Sequence, residues 1–472
     1  MNAPAEVLAA LPPIERCIET HISWILLAGK FAWKIKKPLT LPFLDYSSVD
    51  KRRACCEEEL RLNRRFAPQL YLDVVDLNGE PAVKMRRFDE AQRLDHVSAN
   101  GDLTGAQLSA FARDLVTFQT QAAVPPAPTF FGEPATILAD ALENFEELER
   151  LLPDATGHLA RLKQWTQDEF ARRENDFIRR KAQGRIREGH GDLHLGNLVL
   201  LDKRIVPFDG IEFNAGFRHI DVASEIAFTL LDLLDHQRPG LATWLLSEWL
   251  TYSGDFDALT VLRFYLVYRA MVRAKVTALQ ENRDGSLNYL SLALRLIAPA
   301  APALTITCGV SGSGKTWLSS RRLASADFLQ TVRLRSDVER KRLHGLPPDA
   351  DSGGTIYGPA ATLRTYAHLA EHAEHALRAG WSVIVDAAFL RRAERAAFAQ
   401  LAASMGIGFA ILTPEASPAT CAARLAARRG DASEATPAVL AEQLHWFEPV
   451  TADEIKAPDS MPSSETALRQ KP

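Results

Sequence analysis

"GVSGSGKTWLSS", from Gly309 to Ser320, decides how the rest of the chain is read. Gly309, Val310, Ser311, Gly312, Ser313, Gly314, Lys315 and Thr316 satisfy the spacing G-x-x-x-x-G-K-S/T without a mismatch. An apolar run, Leu304 to Cys308, precedes them and a helical pattern follows, which is the strand–loop–helix setting the spacing requires. Glycines let backbone N–H groups close around phosphates, and the first turn of the helix adds its positive end. Lys315 is placed to hold the β- and γ-phosphates of ATP, and Thr316 to ligate Mg2+. The loop starts only at residue 309 of 472, which leaves a long leading region to be explained.

Downstream of the loop three segments carry further chemistry. "VRLRSDVERKRL" ends a predicted strand at Asp337, where a carboxylate can accept a proton from a substrate hydroxyl, with Arg340 close enough to orient an anion. "SVIVDAAF" ends a buried strand at Asp386, positioned as a second acid on the Mg2+ shell. "CAARLAARRGDASEA" spaces Arg424, Arg428 and Arg429 along a helix before a Gly-Asp break, a pattern for a mobile arginine lid over a transferring phosphoryl group. Strands and helices alternate throughout, which predicts an α/β fold with a parallel sheet. Together these segments resemble the P-loop kinases grouped with zeta toxins, polynucleotide 5′-kinases and gluconate kinases. The resemblance covers about Ala303 to Pro449 and implies a kinase acting on a hydroxyl, with Asp337 as its base.

Upstream, "LIAPAAPALTITCGV" contains an Ala-Pro alternation, read as a stiff linker at 298–302. The expected layout is a domain at 14–297, that linker, a P-loop domain at 303–450 and a disordered tail at 451–472. Within 14–297 the pattern is strand-rich to about residue 95 and mostly helical from about 100. Met1 to Pro13 is expected to fray. "SSVDKRRACCEEELRLNRRFAP" reads as a helix capped by Ser47 or Ser48, and Asn78-Gly79 as a hairpin turn.

The leading region has its own catalytic pattern. "HGDLHLGNLVL" (190–200) fits H-x-D-x-x-x-x-N: Asp192 faces an acceptor hydroxyl as base, and Asn197 reaches Mg2+ one loop turn later. Asp209 follows the apolar "RIVPF", where a metal-chelating acid belongs in a strand–turn–strand arrangement. These residues resemble the aminoglycoside-phosphotransferase-like kinases, relatives of protein kinases with an α+β bilobal fold. "HISWILLAGKFAWKIKKPLTLPFLDYSS", "RRACCEEELRLNRRFAPQLYLDVV" and "IEFNAGFRHIDVASEIAFTLLDL" resemble a bacterial branch in which such a domain is fused to a P-loop kinase. The resemblance implies Lys34 on the third strand as the contact to the α- and β-phosphates, and Glu59 as its partner. Asp221 is the implied brace of the catalytic loop. Lys36 shares a strand face with Lys34 and is an alternative to it. Departures are the missing Gly-rich strand loop, Glu225 in place of Asp, and Gly210 in place of Cys.

Composition narrows the function. The chain is 47% hydrophobic and 24% charged with a net charge of −4, unlike a general nucleic-acid or membrane binder. Five cysteines make no CxxC pair, the N-terminus shows no signal peptide, and no apolar run is long enough to span a bilayer, so a cytoplasmic protein is expected. His368, His372 and His375 share a helix face, and the run "AHLAEHAEHALRAG" around them reads as a polar helix face rather than a metal site. The leading expectation is a two-site ATP- and Mg2+-dependent phosphotransferase acting on small hydroxylated molecules. The alternatives are a nucleotide-sensing regulatory protein and a nucleic-acid 5′-hydroxyl kinase. The near balance of charge over 303–450 speaks against the last.

Overall fold

The computed structural model describes residues 5–41, 44–427 and 432–454. Two units divide it: Met1–Arg238 with Val261–Ile297, and Pro239–Thr260 with Ala298–Pro472.

The first unit begins with α1 (Ala5–Ala9), β1 (Arg16–Glu19), β2 (Ser23–Ala28), β3 (Phe31–Lys36), β4 (Thr40–Leu41), β5 (Leu44–Asp45), α2 (Val49–Asn63), β6 (Tyr71–Leu77) and β7 (Glu80–Arg86). Five of these strands form an antiparallel sheet in the order β1-β2-β3-β7-β6. Alternation divides its side chains between two cores. Trp24, Leu26, Trp33 and Ile35 pack with Leu77 and Ala82 on one face. Leu27, Ala32, Val83 and Met85 pack with Cys56 of α2 and with Leu70 and Tyr71 on the other. Lys34 and Lys36 alternate with Trp33 and Ile35, so they point toward α2. Ser48 caps α2 by accepting from Lys51 N at 3.3 Å. Asn78 and Gly79 both take positive φ, the requirement of a tight hairpin. The fraying expected before Pro13 does not extend over α1, because Val7 is buried in the Trp24 core.

The rest of the first unit is helical: α3 (Leu94–Asn100), α4 (Gly105–Gln121), α5 (Pro134–Leu151), α6 (Thr156–Ala182), then β8 (Ile186–Glu188), β9 (Leu198–Leu201), β10 (Arg204–Pro207), α7 (Ala215–Arg218), β11 (His219–Asp221) and α8 (Val222–Asp235). The strands pair antiparallel as β9 with β10 and β8 with β11. β9, a tight turn and β10 make the expected strand–turn–strand arrangement, and Asp209 follows it in a further turn at φ 64°. Every residue of α8 from Val222 to Leu234 is buried, making it the central helix of this lobe. A strand-rich lobe followed by a helical lobe is the kinase-like arrangement.

Next along the chain come α9 (Pro239–Ser253), α10 (Ala258–Leu279) and α11 (Arg283–Leu296). α9 corrects the expected continuous domain at 14–297, since Pro239–Thr260 packs within the second unit. A Cβ on Gly240 would lie 2.0 Å from the Ala324 carbonyl oxygen, so the approach there is backbone to backbone. Glu248 pairs with Arg333 at 3.1 Å, and the Trp381 indole donates to the Leu259 carbonyl at 2.9 Å. Chain order placed α9 before the Ala-Pro linker, but its buried partners lie after it.

The second unit continues with β12 (Ala303–Thr307), α12 (Lys315–Ala324), β13 (Thr331–Arg335), α13 (Ser336–Leu343), α14 (Pro359–Arg378), β14 (Ser382–Asp386), α15 (Arg392–Ser404), β15 (Gly408–Leu412), α16 (Pro418–Ala427) and α17 (Pro437–Trp446). Four strands form an all-parallel sheet in the order β13-β14-β12-β15. β12 has later strands on both sides, so the loop at its C-terminal end opens at a switch point of the sheet, where α/β folds bind ligands. Residues 451–454, expected to belong to a disordered tail, form a turn in which Glu454 pairs with Arg395 at 2.7 Å. The remainder of that tail, and Arg428 and Arg429, lie outside the described residues. Among the described residues, no helix is long and apolar enough to cross a membrane.

Candidate active sites

In the first unit the loop 190–197 is held from several sides. Ile211 N donates to the His190 carbonyl and Phe208 N to the Asn197 carbonyl, each at 2.9 Å. Those two bonds stitch the Asp209 turn to both ends of the loop, so Asp192, Asn197 and Asp209 come together. Asn197 Nδ2 donates to the Asp192 carbonyl at 3.0 Å and to its carboxylate at 3.1 Å. With Nδ2 engaged, the amide oxygen of Asn197 is left as a ligand. His190 contacts the Phe208 carbonyl through Nε2 at 2.8 Å and accepts from Asp192 N through Nδ1 at 3.3 Å. This is the neutral Nε2–H tautomer, and burial pushes the His190 pKa down.

Burial works to raise the Asp192 pKa, but the charge and hydrogen bond of His194, together with Arg273, hold it well below the carboxylate range. His194 Nε2 lies 3.4 Å from Asp192 Oδ2. Lys34 contacts Glu59 at 2.9 Å and also reaches Asp209. Lys36 is fully buried between Glu59 and Glu212, and Tyr46 donates to Glu212 at 2.6 Å. Of the two lysines it is therefore Lys34 that meets the Asp209 turn.

Asp221 does not touch the loop. It takes a two-pronged bond from Arg180, at 2.7 and 2.8 Å, and caps α8 through Ala223 N. The loop is braced instead by one stripe of α8: Glu225 accepts from His190 N, Thr229 donates to the Leu193 carbonyl at 2.6 Å, and Asp232 accepts from Leu195 N at 2.8 Å. Their spacing of four and three residues was visible in the sequence, but the surrounding apolar run read only as core.

In the second unit the P-loop lies over a cleft of about 1210 Å3 whose lining includes Lys315, Thr316, Asp337, Arg340 and Asp386. Lys315 Nζ donates to the Val310 carbonyl at 2.9 Å. Arg424 donates to the carbonyls of Gly312 and Ser313 at 3.3 and 3.0 Å, so this arginine sits on the loop backbone. Asp386 accepts from Ser319 at 3.0 Å, one helical turn beyond Thr316. Arg340 is buried, stacks over Tyr357 and donates to the Ile356 carbonyl at 3.3 Å. Gln443 of α17 accepts from Ser311 N at 2.6 Å, a contact across 132 positions for which the sequence holds no signal. The Ser313 hydroxyl is buried without a hydrogen-bond partner. Thr316 with Asp386, and Asn197 with Asp209, offer oxygen ligands alone, a donor set that fits Mg2+.

A family model described as an AAA domain matches residues 304–450. Proteins of Mycobacterium tuberculosis and Mycobacterium bovis are 30% identical to this chain over 452 residues, covering 91% of it and 90% of their own length. Among solved structures, the choline kinase of Cryptosporidium parvum aligns at 10% identity and TM-score 0.41, over 60% of this chain and 88% of that one. A GDP complex of aminoglycoside 2′-phosphotransferase-IIIa aligns at 15% identity and TM-score 0.38, over 62% of this chain and 96% of that one. The chain joins a unit with a strand-rich lobe and a helical lobe to a P-loop unit that the AAA-domain model matches. It belongs to one family with the Rv2004c protein of Mycobacterium tuberculosis.

Proposed function

We propose that the protein transfers the γ-phosphoryl group of ATP to hydroxyl groups of small molecules, with one site in each unit. The observation that carries this reading is the convergence of Asp192, Asn197, Asp209 and Lys34 on a single loop–turn junction. In the first unit the acceptor hydroxyl meets Asp192. Its proton passes to the carboxylate as the oxygen bonds to γ-phosphorus, the bond from γ-phosphorus to the bridging oxygen breaks, and ADP leaves. A carboxylate held ionised by His194 and Arg273 is ready for that proton. Lys34, held by Glu59, supplies positive charge to the phosphates. In the second unit Asp337 plays the part of Asp192, while Lys315 and Arg424 carry the phosphates on the loop. Asn197 and Asp209 in one site, and Thr316 and Asp386 in the other, would hold Mg2+, which when bound would neutralise charge at the phosphate oxygens.

A screen of hydroxylated metabolites for ATP-dependent phosphorylation tests this. Wild type yields a product from each site, Asp192→Asn loses one and Asp337→Asn the other. No phosphorylated product from wild type, or the same products from both variants, overturns the reading.

A further inference from the structure

The three histidines of α14 have a partner that chain order concealed. Glu339 of α13 is 1% exposed, and its Oε2 lies 3.2 Å from His368 Nε2. His372, one turn further along α14, stands against His368 with ring centroids 4.2 Å apart. One ligand atom from each of Glu339, His368 and His372 falls within 4.8 Å of the other two. We propose that Glu339, His368 and His372 form a binding site for a borderline-soft divalent ion of the zinc and cobalt class, separate from the nucleotide cleft.

The chemistry favours that ion class. Two imidazoles and one carboxylate suit Zn2+ or Co2+, whereas Mg2+ selects oxygen and water. Histidines four residues apart on a helix present their rings on one side, the spacing by which helices chelate metals. Bonds of about 2.1 Å to a tetrahedral ion set neighbouring ligand atoms about 3.4 Å apart, so the Glu339–His368 pair is already at working distance. A modest turn of the His372 ring closes the third position, and the fourth is left for water or a further ligand. Arg342 donates from Nε to Oε2 at 3.0 Å and from Nη2 to Oε1 at 3.4 Å, so Arg342 orients the carboxylate while the second lone pair of Oε2, now facing His368, is the one offered to the ion. Ligating carboxylates are commonly supported in this way. On the other side, Phe256 packs on the His372 ring with centroids 4.7 Å apart and limits where that ring can go.

The position gives the ion a consequence. Glu339 lies two residues after Asp337 and one before Arg340, both of which line the cleft. An ion joining Glu339 to α14 pins the helix that carries them. α14 itself contributes Thr362 and Tyr366 to the same cleft.

Titration of the full-length protein with Co2+, followed by visible absorption, tests the site. Wild type gains the intense bands of low-coordinate Co2+ with one ion per chain, and Zn2+ abolishes them. Lys315→Ala and His375→Ala keep the bands, and His368→Ala and Glu339→Gln lose them. His372→Cys is the second probe, because a thiolate bound to Co2+ gives a near-ultraviolet charge-transfer band absent from wild type. Wild type without the bands, bands that persist in His368→Ala, or a folded His372→Cys without charge transfer each overturn the proposal.

Discussion

Asn197 donates from Nδ2 to the Asp192 carboxylate at 3.1 Å and to the Asp192 carbonyl at 3.0 Å. The same side chain therefore fixes where the candidate base points and turns its own oxygen outward as a ligand. A candidate base and a candidate metal ligand five residues apart are locked by one amide.

Asp192→Asn removes the proton acceptor while keeping the size of the side chain. Transfer from the first site is expected to fall by about 10²–10⁴-fold, with nucleotide affinity by calorimetry unchanged. A variant that turns over at the wild-type rate contradicts the assigned role.

Gly312→Ala tests the second nucleotide site. Gly312 has φ +80°, and a Cβ there would sit 2.5 Å from the Cys421 carbonyl oxygen, which is rigid backbone. The loop has to move off α16, and ATP bound per chain is expected to drop from two equivalents to one in calorimetry. Lys315→Ala is expected to give the same stoichiometry without the steric clash.

Glu248→Ala leaves the buried Arg333 guanidinium without its carboxylate. Loss of one partner from such a pair costs about 3 kcal/mol, read as an earlier urea midpoint for the second unit. Glu248→Gln keeps a hydrogen-bond acceptor and is expected to lose less. Equal midpoints for wild type and Glu248→Ala count against the docking of α9.

Glu188 connects stability to pH. Burial works to raise its pKa, but hydrogen bonds and charge from Arg61, Arg65 and Arg218 bring it from the ordinary 4.5 down to about 2. Because the folded value is the lower one, the stabilisation is complete above pH 4.5 and lost as pH falls toward 2. Thermal midpoints of Glu188→Gln are expected to lie below wild type at pH 7 and to converge with it near pH 2. A constant gap across that range would rule the linkage out.

Local patterns carried a large share of this. Gly309 to Thr316, the capping Ser48 and the Asn78-Gly79 turn act over a few residues, so the backbone needs of the loop, cap and hairpin are written in adjacent positions. Asp192, Asn197 and Asp209 were legible because they lie within one short span of chain. α9 was not, since an apolar helix carries no mark of which surface it covers. The resemblance points to Asp221 as the brace of the 190–197 loop, yet the bracing falls to Glu225, Thr229 and Asp232, because hydrogen-bonding side chains and a buried apolar run overlap on the same helix.

What the sequence determined by itself was the pair of folds, since strand and helix periodicity and a phosphate loop depend on near neighbours. Only the tertiary structure decided which distant side chains share a space: Gln443 on Ser311, Glu248 on Arg333, and Glu339 beside His368 and His372. Charge and ligation fall off over a few ångströms in space, and distance along a folded chain does not measure that.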